Sequence, residues 1–494
     1  MKKFLLVSLL CSLAIPTFTE NEELTLEQRI EKLEKIIEEQ NKELKKQKID
    51  IKKNEKKLSL ATQEKPKDAD GELQFHGYLR TGAEGNMKHG NKNTYSRDKQ
   101  YVGRWGNEFD TNFNINFSKK FTQSNGAWTK LVVQLENWSD NYDNNVGDYK
   151  IDLTELYIEM GNVPMFTGAF KDAKIVAGKK KWDAQQVEIL DYYYQDVKGT
   201  GLGLEGIRLW NGSLNLTYIS NDFKDGELSN IEGKKAEDVR AYKAKYAHGD
   251  ISGEVMYAHA TDNDKIKKYK NNLENWNRDA ADDGFYAGLY YQPDNFFGLE
   301  GKGQHYLQYA TGILAGEGIG KIETDANKRA ANDAVTYQLG LGGTVRLGDR
   351  THMLVSYRGL RAQNIEARKT VSYWHDVNNP TNMSPYVGSW RAKDLETDAL
   401  VLRPIYYINQ NLDLWMEAGI ARKDTESYSG TTEDHLLYKI SAGPQLKYYV
   451  GSAETSLRLF VTYIGDKTKR TENSITTRST VEDVITGFQV SAWW

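Results

Sequence analysis

Residues 109–121 read FDTNFNINFSKKF. Phe109, Thr111, Phe113, Ile115 and Phe117 take one parity, while Asp110, Asn112, Asn114 and Asn116 take the other. Successive side chains on a strand point to opposite faces. The stretch therefore predicts a strand with one greasy face and one amide face. LDLWMEAGIA at 412–421 sets Leu412, Leu414, Met416, Ala418 and Ile420 against Asp413, Trp415, Glu417 and Gly419. TSLRLFVTYI at 455–464 sets Leu457, Leu459, Val461 and Tyr463 against Arg458, Phe460 and Thr462. Between such segments lie short turns, as in RLGDRTH, and long polar stretches, as in TDNDKIKKYKNNLENWNRDAADD. Strands of about ten residues joined alternately by short turns and long loops are the signature of an outer-membrane barrel.

A large soluble β-sandwich tolerates the same alternation, so composition has to decide. The chain carries 30 Tyr, 11 Trp and 15 Phe, a supply suited to interfacial girdles. Mean hydropathy is −0.68, and no stretch after the first twenty residues is apolar enough for a spanning helix. A barrel hides half of each strand in a polar lumen, so low hydropathy does not count against it. The chain ends VITGFQVSAWW: Phe488, Val490, Ala492 and Trp494 share one parity, and Gln489, Ser491 and Trp493 the other. One terminal ring is thus assigned to lipid and its neighbour to the lumen. The formal charge of −4 argues against nucleic acid as a partner.

The chain begins MKKFLLVSLLCSLAIPTFTENEE, which reads as a secretory signal peptide over 1–19. Cys11 is the only cysteine and leaves with it, so no disulfide or thiol metal site is expected. Residues 20–62 carry a heptad repeat. Ile30, Ile37, Leu44, Ile51 and Leu58 occupy one core position; Leu26, Leu33, Gln40, Gln47 and Asn54 occupy the other. This predicts an α-helical coiled coil, placed in the periplasm. A polar linker, 63–72, leads to a barrel over 73–494, whose length suits about sixteen to eighteen strands. The expected fold is an all-β transmembrane barrel of antiparallel strands with an N-terminal α-helical coiled coil.

Enzyme motifs are nearly absent. GLGLEG at 201–206 matches a dinucleotide-loop pattern only by letter, because no helical pattern follows it. GKKKW at 178–182 reads as a solvated or lumen-facing charge run. No cofactor, no metal and no catalysis are expected. The informative residues are aromatics on the polar parity. Tyr78 shares its face with Gln74, His76 and Arg80, and Trp493 with Gln489 and Ser491. One face of a pyranose is mainly C–H and stacks on a ring, while its rim of hydroxyls needs charged or amide partners. Rings in a row beside ionic groups bind each glycosyl unit weakly and pass it on.

FHGYLRTG at 75–82, RWGNE at 104–108, AGKKKWDAQQVEILDYYYQD at 177–196, LQYAT, LRPIYY, LFVTY and the terminal WW together resemble the maltoporin family of outer-membrane sugar porins. That resemblance implies a homotrimer of eighteen-stranded barrels in the lipid bilayer, each with an inward loop, an aromatic slide and an ionic track for oligosaccharides. It implies that Tyr78 and Trp493 are slide rings and that Tyr193 sits at the constriction. Arg80 and Arg104 become track arginines, and Asp191 and Asp196 acids of the inward loop. Trp138 corresponds to a loop tryptophan that the family lends to a neighbouring subunit. The chain also departs from the pattern. Asn112 replaces a slide aromatic, Asn114 a track glutamate, Ala184 a constriction arginine and Glu188 a histidine. Lys302 stands for a slide phenylalanine, and Thr397 and Asp398 for a tryptophan pair. The coiled coil resembles the extensions of sucrose and β-glucoside porins, with peptidoglycan or a periplasmic binding protein as its candidate partner. Three functions stay open: a saccharide-selective channel, a general diffusion porin, and an envelope tether.

Overall fold

The structure, a computed structural model, describes residues 71–87, 98–108, 110–139, 151–222, 238–261, 281–322, 330–365, 371–375, 383–387 and 392–494, and five helical residues between 35 and 43. The signal peptide, nearly all of the coiled coil, and the linker up to residue 70 lie outside the described residues. Within the described helix, Lys42 pairs with Glu38 one turn back at 3.3 Å.

The described barrel residues form a closed ring of eighteen antiparallel strands. Its first six are β1 (Gln74–Asn86), β2 (Thr111–Thr122), β3 (Trp128–Ser139), β4 (Asp152–Gly161), β5 (Lys174–Val187) and β6 (Tyr192–Leu209). The last strand, Ile475–Trp493, closes the ring on β1, with Tyr78 opposite Trp493 and Asn86 opposite Ile485. Backbone groups in lipid find no water, so a sheet without edges is what satisfies them all. A two-residue segment, Asn295–Phe296, pairs beside strand Leu299–Thr311 without entering the ring, and Val371–His375 pairs with Met383–Val387 as a separate hairpin.

Alternation is carried through the ring. On strand Ile251–Thr261, Val255 and Tyr257 are exposed while Glu254, Met256 and Ala258 are buried. The outward set includes Leu131, Leu202, Leu307, Ile440, Leu459 and Phe488. The inward set is polar: Gln308, Arg358, Arg403, Glu417 and Lys439 are each buried almost completely, inside the ring. At one end the turns are tight, as at Trp210–Asn211, where both residues take positive φ. Outer-membrane barrels keep such turns on the periplasmic side.

Two segments leave the wall and enter the lumen. β5 pairs with β4 only over 175–179, and β6 pairs with strand Gly212–Asp222 only from Thr200 onward. The end of the β5–β6 hairpin, 180–199, is therefore free of both neighbours and turns inward. Its tip is a single 3₁₀ turn, Glu188–Leu190, closed by Asp191 in the left-handed region. The connection between β1 and β2 contributes a short helix, Lys99–Val102, followed by the RWGNE stretch.

Candidate pore constriction

Arg80 projects from β1 into the lumen and is met there by three acids. Its guanidinium bonds Asp110 through Nε (2.9 Å) and Nη2 (2.6 Å), reaches Glu108 at 3.2 Å, and meets Asp191 of the hairpin tip at 3.2 Å. Arg104 bonds Glu108 at 2.8 Å and lies 3.7 Å from both Asp191 and Glu188. Lys99 completes the group, within ion-pair distance of Glu108, Asp110 and Asp191. Burial alone would raise the Glu108 carboxyl, but Arg104, Arg80 and Lys99 outweigh it and hold that group well below the usual carboxylate range. The Asp191 carboxyl is lowered in the same way, burial opposing and Arg104 prevailing.

On the far wall the RWGNE stretch is fastened down. Lys439 spends all three N–H bonds there, on Gly103 O (2.6 Å), Trp105 O (2.9 Å) and Glu417 Oε1 (2.7 Å). Glu417 in turn accepts Trp105 N at 2.9 Å and Arg403 Nε at 2.6 Å. Thr462 donates to Gly106 O at 2.7 Å. Gly103 and Gly106 take φ of 91° and 69°, and a Cβ on Gly106 would stand 2.2 Å from Thr462 Oγ1. Glycine is what allows the loop to lie flush on the sheet. The hairpin tip crosses to the same wall, where Glu188 meets Arg403 at 2.8 Å and Ile189 O accepts Arg104 N at 3.0 Å. Tyr194 stacks on Tyr306 with ring centroids 4.3 Å apart. Strand Leu299–Thr311 and strands 392–472 thus have much of their inner face covered.

The wall of β1 to β3 keeps its rings in view. Tyr78 and Trp493 lie side by side across the seam, centroids 5.0 Å apart, on the parity that carries Arg80 inward. Trp493 is 41% exposed. Trp494, on the opposite parity, packs on Phe75 at 5.5 Å, and its backbone pairs with Gly77, over which its ring lies. Tyr193 is half exposed, on the opposite parity to the buried Tyr192 and Tyr194.

The register explains two of the departures from the family pattern. Asn112 stands directly opposite Trp138, and Asn114 directly opposite Glu136. Directly opposed Cβ atoms in an antiparallel pair are about 5 Å apart. β3 thus places an aromatic and an acid at the heights of Asn112 and Asn114. Glu136 is bridged by Lys181 at 2.7 Å, so GKKKW is absorbed into lumen ion pairs, with Lys180 bonded to Glu205 at 3.0 Å.

Arg104 follows the short helix in a turn folded into the lumen. One expectation needs correction. Trp138 is not on a loop: it is a strand residue whose indole N–H donates to Asp110 of the same chain at 2.7 Å, which ties it to its own barrel. Asp196 lies on the β6 arm of the inward hairpin, paired with Lys198 at 3.4 Å, and among the described residues no ion pair joins it to the cluster. Tyr78, Arg80, Arg104, Asp191 and Trp138 are brought around Asp110 and the seam; Lys99, Glu108, Glu417 and Lys439 join them without having been expected.

A family model described as LamB porin matches residues 73–494. The chain belongs to the LamB porin family. It is similar to the maltoporin of Vibrio cholerae serotype O1 (strain N16961), 25% identical over 439 residues that cover 85% of this chain and 95% of that one. Maltoporin 1 of Aeromonas salmonicida is 24% identical over 458 residues, covering 85% and 94%. Among solved structures, the outer membrane protein OpdK of Pseudomonas aeruginosa aligns at 10% identity and a TM-score of 0.45, over 86% of this chain and 99% of that one. This porin is an outer-membrane channel and not an enzyme.

Proposed function

We propose that this porin is a saccharide-selective channel, assembled as a homotrimer, through which oligosaccharides diffuse passively along displaced slide rings. The observation that carries the reading is the pairing of Asn112 with Trp138 and Asn114 with Glu136. Ring and acid are moved one strand over, not lost. Tyr78 and Trp493 offer ring faces on adjoining strands, Trp138 offers one from β3 across β2, and Tyr193 offers one from the hairpin. Hydroxyl partners come from Asn112, Asn114, Asn116 and Glu136 on the open wall. Arg80 and Arg104 act differently from freely presented track residues. Their guanidiniums are occupied by Glu108, Asp110 and Asp191, so they fix the bore and give it a preset field. Asp196 is left as a polar residue of the hairpin. The maltoporin names of the relatives support a glucose-based ligand.

The test is single-channel conductance of the purified protein in a planar bilayer, titrated with glucose, sucrose and maltose through maltohexaose. Conductance steps in threes with saturable block support the reading. A large conductance indifferent to every sugar refutes it in favour of a general diffusion porin.

A further inference from the structure

Six basic side chains crowd the constriction: Arg80, Lys99, Arg104, Arg403, Lys439 and Arg458. Five have a carboxylate within ion-pair distance. Arg458 has none among the described residues. Its Nε donates to Gln445 Oε1 and its Nη1 to Gln489 Oε1 at 2.9 Å, and both partners are neutral amides. Arg458 lies on the lumen parity, opposite Gln489, while Trp493 stands four pairs further along the same ladder, on the same face. Four residues of strand span roughly 13 Å, so Arg458 and the ring of Trp493 are separated by roughly the length of two to three glycosyl units.

A second observation concerns donors. Trp415 places its ring 4.7 Å from the Arg458 guanidinium and 5.3 Å from that of Arg403, and 5.7 Å from the ring of Trp105. Trp105 and Trp415 are 1% and 9% exposed, yet neither indole N–H has an acceptor. A buried donor without a partner is costly, and here two adjoin an arginine that has no carboxylate within ion-pair distance among the described residues. The group presents N–H donors and positive charge, with Glu188 and Glu108 as its more distant acids. What complements it is an anion.

We propose that Arg458, with the indole N–H groups of Trp105 and Trp415, forms an anion subsite beside the slide, so that the preferred substrates are acidic saccharides. This deepens the saccharide-channel reading and rests on it. One ring of an oligosaccharide stacks on Tyr78 and Trp493 while an acid group carried about two units along the chain meets Arg458. Discrimination against a neutral sugar follows, because only the acid supplies the acceptor that these donors lack.

The experiment compares block of the full-length trimer's ion current by trigalacturonate, maltotriose and glucose 6-phosphate at low and at high salt. At low salt trigalacturonate is expected to block at a concentration about tenfold below that of maltotriose, the scale of one charge-assisted hydrogen bond. High salt should shrink the ratio. Arg458→Gln should bring the ratio toward one. Gln445→Glu, which hands Arg458 a carboxylate without removing it, should do the same and covers the case in which the first variant does not fold. Block by glucose 6-phosphate but not by the uronate supports the subsite and identifies a phosphate as its ligand. Block by maltotriose with none by either acid overturns the subsite and leaves the saccharide channel standing. Indifference to all three overturns both.

Discussion

The lumen has two walls of opposite character. Along strands 392–472 the inward residues are spent on the protein itself: Lys439, Glu417, Arg403 and Thr462 hold the RWGNE loop and the hairpin tip. Along β1 to β3 more of the inward surface is left to the channel: Asn112, Asn114, Asn116 and the ring pair of Tyr78 with Trp493, beside Glu136 and Trp138, whose polar atoms are held by Lys181 and Asp110. The first wall gives bonds of fixed direction that set a diameter. The second gives flat faces and amides that exchange partners easily. A selective pore needs both, because a ring slide works only if something holds the substrate against it.

The comparison can be broken hardest at the clamp. Lys439→Met takes one partner from Glu417, which keeps Arg403 and Trp105 N, and leaves two loop carbonyls unpaired in a buried site, a loss on the scale of about 1–3 kcal/mol for each. The RWGNE loop should undock, and single-channel conductance should rise with the variant still folded as a barrel. An unchanged conductance would remove the clamp from the account of pore size. Gly106→Val comes next. It forces a branched side chain into positive φ and against Thr462, costing about 1–3 kcal/mol, and limited proteolysis should cut the loop faster. The open wall should answer differently. Trp138→Ala and Trp493→Ala should leave conductance nearly unchanged while raising the sugar concentration for half-block several-fold, on the scale of about 1 kcal/mol per lost ring contact. Equal effects of clamp and ring variants on both measurements would erase the distinction between the walls.

The smallest effect expected is that of pH on the loop. Asp98 stands at the N-cap position of the short helix without a side-chain capping bond, and burial pushes its carboxyl up to about 6, with Lys423 opposing. A carboxyl raised in the docked state keeps its proton there at pH values where a free one has lost it. The docked loop therefore binds more protons than the undocked one between about pH 4 and 6, and docking weakens as pH rises through that window. Hydrogen exchange over 98–108, corrected for intrinsic rate, should show more protection at pH 5 than at pH 7.

Period two made the strands, the closing of the ring and the faces of Tyr78, Arg80 and Trp493 legible, because alternation is a local property of the chain. The clamp left no such trace. Lys439 and Glu417 read as ordinary lumen residues, and only the folded loop shows that they hold backbone from far away in sequence. Trp138 was given a loop role because the register of β2 and β3 is invisible residue by residue; the ladder sets it opposite Asn112. Lys99 and Asp110 belong to the cluster through the path of the loop, which depends on Gly103 and Gly106 and on no repeating pattern.

The ring pair on the seam joins two properties that are usually separate. Tyr78 and Trp493 come from the first and last strands, and they touch only when the sheet has shut upon itself. Contacts between chain ends form late in a topology built from neighbouring strands. A truncated or misregistered chain therefore cannot present this pair, and its affinity for sugar reports whether assembly was completed.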